Sequence, residues 1–357
     1  LDLLPDFGYP PVQYGGWEAP KAMWYRNTAS HNTVMVDRQN HPAAAGETTL
    51  WGIGQTVQAL RVNGPELIGG QQFERTLVVV EISPEDFYVV DIFRVIGGRE
   101  HFKFLHSYFG EITNQGLKLM PTDSPGLVGE MRNFQLDPQP EAGWSVDWKI
   151  IDRYQLLAPD ADVHLRYTDL TPGAQVFTAE AWVMVDGFNA YAEAWIPRLL
   201  VRRESAQPPL VSTFVGVLEP YEKQAKIRKI TRRGLTDAQG APVAETHVAL
   251  EIELADGRRD LVVLADPEAL AHSGATPNFR QPDWDLTVSG EIGFVRLNSA
   301  GEPGQLWLGQ GRGLKFKKLT LELKRQTEVF ELHRAAGVWQ PVTGKSDEIL
   351  RLTPVTR

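Results

Sequence analysis

From Phe73 to Ile96 the chain runs FERTLVVVE, then Ile82-Ser83-Pro84-Glu85, then DFYVVDIFRVI, and closes on Gly97-Gly98. Two β-branched and aromatic stretches joined by a short Pro-bearing turn, with a glycine pair that accepts positive φ, read as extended strands rather than helices. The pattern recurs along most of the chain. Gln55 to Val62, His101 to Phe109, Trp144 to Ile151, His164 to Asp169, Ala179 to Val185, Leu199 to Arg203 and Leu210 to Leu218 are further strand signals. Asp186-Gly187 reads as a turn, and Glu219-Pro220 is expected to stop the strand before it. His247 to Leu254 and Asp260 to Ala265 flank Asp256-Gly257, a strong hairpin signal, and strands alternate from Glu291 to Val342. Helical periodicity is scarce. So many strands with short Gly, Pro and Asp punctuation predict an all-β, largely antiparallel protein of two or more stacked sheets. The expected organisation is a main β body over residues 1–238 and, over 239–357, its continuation or a small C-terminal β subdomain.

Composition narrows the function classes. With 45 acidic and 36 basic residues the formal charge is −9, which argues against generic nucleic-acid binding, where basic surface supplies the affinity. No apolar run is long enough for a membrane helix. The absence of cysteine removes disulfides, thiolate nucleophiles and zinc-thiolate sites together. There is no Gly-x-Ser-x-Gly elbow, Walker-type loop or His-Glu-x-x-His. The chain opens on LDLL, straight into a turn, and is read as part of a longer polypeptide.

Chemistry concentrates between Leu4 and Asn40. Asp6-Phe7-Gly8-Tyr9 is a turn, and Ser30-His31-Asn32-Thr33 leads into the alternating Val34-Met35-Val36. An isolated aspartate beside glycine commonly forms an Asx turn, and a lone strand histidine is commonly structural. Arg198, Arg202 and Arg203, with Lys223 to Arg233, form either a basic wall or ordinary surface charge. His101 and His106, five apart, fall on opposite faces of an extended chain and do not form one ligand pair.

Asp6-Phe7-Gly8-Tyr9, followed by Trp24, by Thr28-Ala29-Ser30-His31-Asn32-Thr33-Val34-Met35-Val36-Asp37 and by Gln39-Asn40, resembles the heparinase II/III-like polysaccharide lyases, including the oligoalginate lyases. Phe73-Glu74-Arg75-Thr76-Leu77 and Val90-Asp91-Ile92-Phe93-Arg94-Val95 fit the same pattern, and the likeness thins beyond the first ~110 residues. The resemblance implies a β supersandwich that follows an upstream α/α toroid, with an active cleft between them. It further implies β-elimination on a uronate-containing acidic polysaccharide and a periplasmic or secreted location. Asp6 and His31 match the family's zinc ligands, and a third ligand is expected upstream. Catalytic residues are expected mainly upstream as well, with Tyr9 and Asn32 as candidate substrate contacts. A non-catalytic carbohydrate-binding or structural sandwich, and a glycoside hydrolase or epimerase, are the alternatives.

Overall fold

The computed structural model describes residues 2–185, 191–273 and 277–353; the Asp186-Gly187 turn lies outside them. The described residues form three antiparallel sheets of six, eight and nine strands with a few short helices. None of these helices is long and apolar enough to cross a membrane. The chain divides into two compact units interleaved in sequence. The first comprises Leu1–Glu47, Asn63–Arg75 and Asp91–Gln224, and the second Thr48–Val62, Thr76–Val90 and Ala225–Arg357.

In the first unit, the strand Glu100–Leu105 shows why the fold has layers. It pairs with Val34–Val36 on one side and Glu193–Glu204 on the other, and five of its six residues are fully buried. Side chains alternate across a strand, so Phe102 and Phe104 go to one face, where they join Trp24, Met35, Phe177 and Leu200. The short helix Pro20–Tyr25, which carries Trp24, covers that face. His101 and Lys103 go to the other face, where His101 meets Ser212 and Lys103 meets Asp91 and Tyr167 of the eight-stranded sheet. A strand buried on both faces reads as continuously apolar unless, as here, ion pairs satisfy the polar half. Asp91 is fully buried and accepts from Arg75 (2.8 and 3.0 Å) and from Lys103 (2.8 Å). Burial acts to raise its pKa, but the two cations together hold it well below the ordinary carboxylate range.

Two strand ends differ from the sequence reading. The strand expected over His101 to Phe109 stops at Leu105, because His106 turns to the arginine described below. The strand from Leu210 runs through Glu219-Pro220 to Glu222. Pro220 sits opposite Leu165 within a ladder that continues on both sides, so its missing amide removes at most one hydrogen bond.

The second unit is dominated by a nine-stranded sheet. Its leucine-rich cluster includes Leu261, Val263, Leu306, Leu308, Leu321, Phe330 and Leu332. Val248–Leu254 and Arg259–Leu264 form the expected hairpin, with Gly257 at φ +87° in the turn. Ile227–Arg233 is the sheet's edge strand, and its cations Arg228 and Arg233 pair with Glu253 and Glu251. Gly309, Gly311 and Gly313 lie within the long strand Pro303–Phe316.

Candidate functional site

Asp6 and His31, a turn and a loop apart in sequence, meet side by side: Nδ1 of His31 lies 2.5 Å from Oδ1 of Asp6. Their side chains are 66% and 28% exposed, so the pair lies on an open rim of the first unit. His31 follows the one-turn 3-10 helix Thr28–Ser30 rather than standing on the strand, which begins only at Val34.

Each half of the pair is held from beneath. Phe7 fixes the turn that carries Asp6 by stacking on His106 (5.2 Å between ring centres, 17° between planes) and by packing against Tyr25 and Tyr108. His31 is held through backbone. The guanidinium of Arg198, 1% exposed, donates to the carbonyl of Ala29, to that of Ser30 at 2.9 Å and to that of His31 at 2.9 Å. Its Nη1 also donates to Nδ1 of His106 at 2.6 Å. Arg75 adds the next carbonyl, donating to Asn32 at 2.9 Å while its other nitrogens hold Asp91. Four consecutive carbonyls therefore face two arginines, an arrangement suited to a loop whose backbone must not move.

The electrostatics follow from that burial. Arg198 is brought down to about 9 by burial, with Asp6 the nearby charge that opposes the shift. His106 is held well below the usual imidazole value, first by burial and then by the Arg198 charge. As Nδ1 of His106 accepts from arginine, the ring stays neutral, with its proton on Nε2.

Asn32 acts as a staple: its Oδ1 accepts from the His106 amide at 2.8 Å, and its Nδ2 approaches the Pro5 carbonyl at 3.4 Å. Tyr9 is 65% exposed, three residues beyond Asp6. Asp6 and His31 are thus brought together, and Asn32 ties the turn of the one to the loop of the other. Arg198 is buried rather than part of a basic wall. Arg202 pairs with Glu100 and Glu204, and Arg203 donates to the Pro172 carbonyl. Arg198 sits in the run Trp195 to Val201, apolar but for itself. An arginine inside such a run is the signal that marks it as a buried, bonded group.

A carboxylate oxygen and an imidazole nitrogen, adjacent and open on one side, are donors of the kind zinc takes, and four such donors complete a structural site. Among the described residues no third His, Cys, Asp or Glu joins them. In this structure the two are hydrogen-bonded directly to each other.

Comparison with known proteins covers the same region. The profile of the family described as Heparinase II/III-like, C-terminal, matches residues 2–190. An exo-oligoalginate lyase of Saccharophagus degradans is 25% identical over 250 residues, which is 62% of this chain and 32% of that protein. Among solved structures, the heparan sulfate lyase of Pedobacter heparinus superposes with a TM-score of 0.47 at 16% identity, covering 73% of this chain and 34% of that one. A heparinase III gives 0.46 at 17%, covering 71% and 33%. The chain therefore spans about a third of the length of the relatives it matches. With the profile matching more than half of the chain, including the Asp6 turn, the His31 loop and the Arg75 strand, the protein belongs to the heparinase II/III-like family of polysaccharide lyases, in its C-terminal part.

Proposed function

We propose that the chain is the β-sheet part of a lyase that cleaves a uronate-containing acidic polysaccharide by β-elimination, working with a helical toroid that precedes it. The observation that carries the site is the convergence of Asp6 and His31 on an open rim, held by Arg198 and Phe7. In such a reaction a base removes the C5 proton of the uronate, and an acid protonates the departing oxygen at C4. Hydrogen-bond donors neutralise the sugar carboxylate and lower the cost of the enolate-like state.

Asp6 and His31 would hold zinc, together with a ligand from upstream. Bound there, the ion supplies a cross-link between turn and loop. The chain's own residues do the rest on this wall of the cleft. Arg198 and Arg75 hold the loop 29–32 rigid, and Asn32 locks that loop to the Asp6 turn. Tyr9 presents a phenol at the rim, able to donate to a sugar oxygen. Asn32, with Oδ1 already engaged, would reach substrate only through Nδ2.

The test uses the full-length protein. Incubation with alginate, heparan sulfate and other uronate polymers is expected to yield an unsaturated product that absorbs in the near ultraviolet, and its absence across all of them would reject the lyase reading. Zinc content by elemental analysis is expected to fall in both Asp6→Ala and His31→Ala; unchanged zinc in both would remove these residues from the metal site.

A further inference from the structure

The second unit carries a hollow that the reading above leaves unused. About 730 Å³ in volume, it lies where three strands of the nine-stranded sheet depart from regular pairing, and Arg312, Lys324 and Arg325 open onto it together with the amides of Asn278, Gln310 and Gln326. The acid on its lining, Asp237, is engaged locally: its Oδ1 accepts the backbone amides of Gln239 and Ala241, each at 2.9 Å. Arg312 and Lys324 make no ion pair among the described residues, unlike Arg228 and Arg233 on the same sheet's edge. In a chain of formal charge −9 this is a local excess of positive charge.

The backbone is built for this spot. The ladder shifts register between Ser289 and Gly290 on one strand and between Gly311 and Gly313 on the strands beside it. Gln310 takes a left-handed φ of 45°, which a residue with a Cβ adopts at a cost. The two irregularities lie so close that a Cβ on Gly290 would sit 2.9 Å from the Gly311 Cα, so glycine is required there. β-Bulges re-aim side chains out of the regular pleat, and they gather where a sheet binds something.

A second hollow of about 530 Å³ shares Arg325 and Gln326 with the first. Trp51 and Ile53, 64% and 56% exposed, stand on it. It also carries Glu328 and Glu348, the latter 3.6 Å from Arg325. The two hollows thus have an aromatic, acid-bearing end and a cationic, amide-rich end.

We propose that they form a binding site for an acidic oligosaccharide, with the apolar face of one sugar ring on Trp51 and the carboxylates of its neighbours at Arg312 and Lys324. The choice of a uronate chain as occupant rests on the lyase reading; the polarity of the site rests on these residues alone. Guanidinium and ammonium groups take carboxylates by charge-assisted hydrogen bonds, amides take hydroxyls, and an exposed indole offers a flat apolar surface with one polar edge. Glu328 and Glu348 keep a second carboxylate away from the Trp51 end, which sets the direction of the chain.

The test is binding by the full-length protein carrying His31→Ala, with a mannuronate hexamer, its carboxyl-reduced counterpart and a single-stranded DNA of equal charge as probes, followed by calorimetry. The hexamer is expected to bind, and the Arg312→Ala/Lys324→Ala pair to weaken it by about tenfold or more, the scale of losing charge-assisted bonds. Trp51→Ala is expected to weaken it several-fold, and the carboxyl-reduced hexamer to bind as weakly as the double variant allows. Equal binding by the double variant, equal binding by the reduced hexamer, or tighter binding of DNA would each overturn the proposal. Melting curves of the variants exclude unfolding as the cause, and Arg312→Lys/Lys324→Arg is expected to retain binding. If the protein gives unsaturated product while hexamer binding ignores Arg312 and Lys324, this site fails and the lyase reading stands. If no product forms but the double variant loses binding, the site stands and the lyase reading fails.

Discussion

Arg198 in the first unit and Arg312 in the second carry the same group in opposite settings. Arg198 is buried, and backbone carbonyls and a neutral imidazole take the hydrogens of its two Nη atoms. Arg312 is exposed beside a bulge, over a hollow with two more cations. A guanidinium taken out of water has only the protein to bond to, so its position becomes part of the fold. One left at the surface costs the fold little and stays available to a ligand. Buried charge therefore marks what holds a site, and exposed unpaired charge over irregular backbone marks what can be bound.

The most damaging change expected from this contrast is Asp91→Asn, which leaves Arg75 and the buried Lys103 without their carboxylate. A loss of about 3–5 kcal/mol in urea unfolding is expected, and a loss under 1 kcal/mol would mean that the buried network is not what holds this unit. Next, Arg198→Met frees three carbonyls, and about 3 kcal/mol is expected. The same variant should increase amide exchange at residues 29–31, and protection equal to wild type there would undo its assigned role.

Comparable in size, and dependent on pH, is the contribution of His101. Burial brings its imidazole down to about 4, with Nε2 donating to the Gly97 carbonyl and Nδ1 accepting from Ser212. The unfolded chain, titrating near 6.5, takes up a proton that the folded chain refuses. Stability should accordingly fall by about 3 kcal/mol as pH drops from about 6.5 towards 4. In His101→Gln this part of the acid slope should disappear; an unchanged slope would assign it to other groups. Smallest of all, Arg312→Ala is expected to shift stability by less than about 0.5 kcal/mol. A loss comparable to that of Arg198→Met would erase the distinction between the two arginines.

Much of the sheet content was legible because period-two alternation and turn dipeptides are local. The hairpin around Asp256-Gly257 needed no distant information. Strand ends were less legible: Leu105 ends its strand because His106 is drawn to Arg198, a residue 92 positions away. The division into units is interleaved, with residues 48–62 and 76–90 belonging to the same unit as Ala225 onward. A reading that moves along the chain finds breaks between neighbours and has no access to such exchange.

For the site, residue type alone left Asp6 as an Asx turn and His31 as a structural histidine; it was the resemblance carried by Asp6-Phe7-Gly8-Tyr9 and Ser30-His31-Asn32-Thr33 that named a carboxylate and an imidazole as partners. Their approach to 2.5 Å, and the support of both from Arg198 through His106 and Phe7, came only with the tertiary structure. The hollow under Arg312 likewise depends on bulges in neighbouring strands that meet across the sheet. Local pattern determines which stretches extend and which turn, since backbone preference and side-chain period act over a few residues. Which charge is buried and which is left in water depends on what packs against it, and that is settled by contacts far apart in the chain.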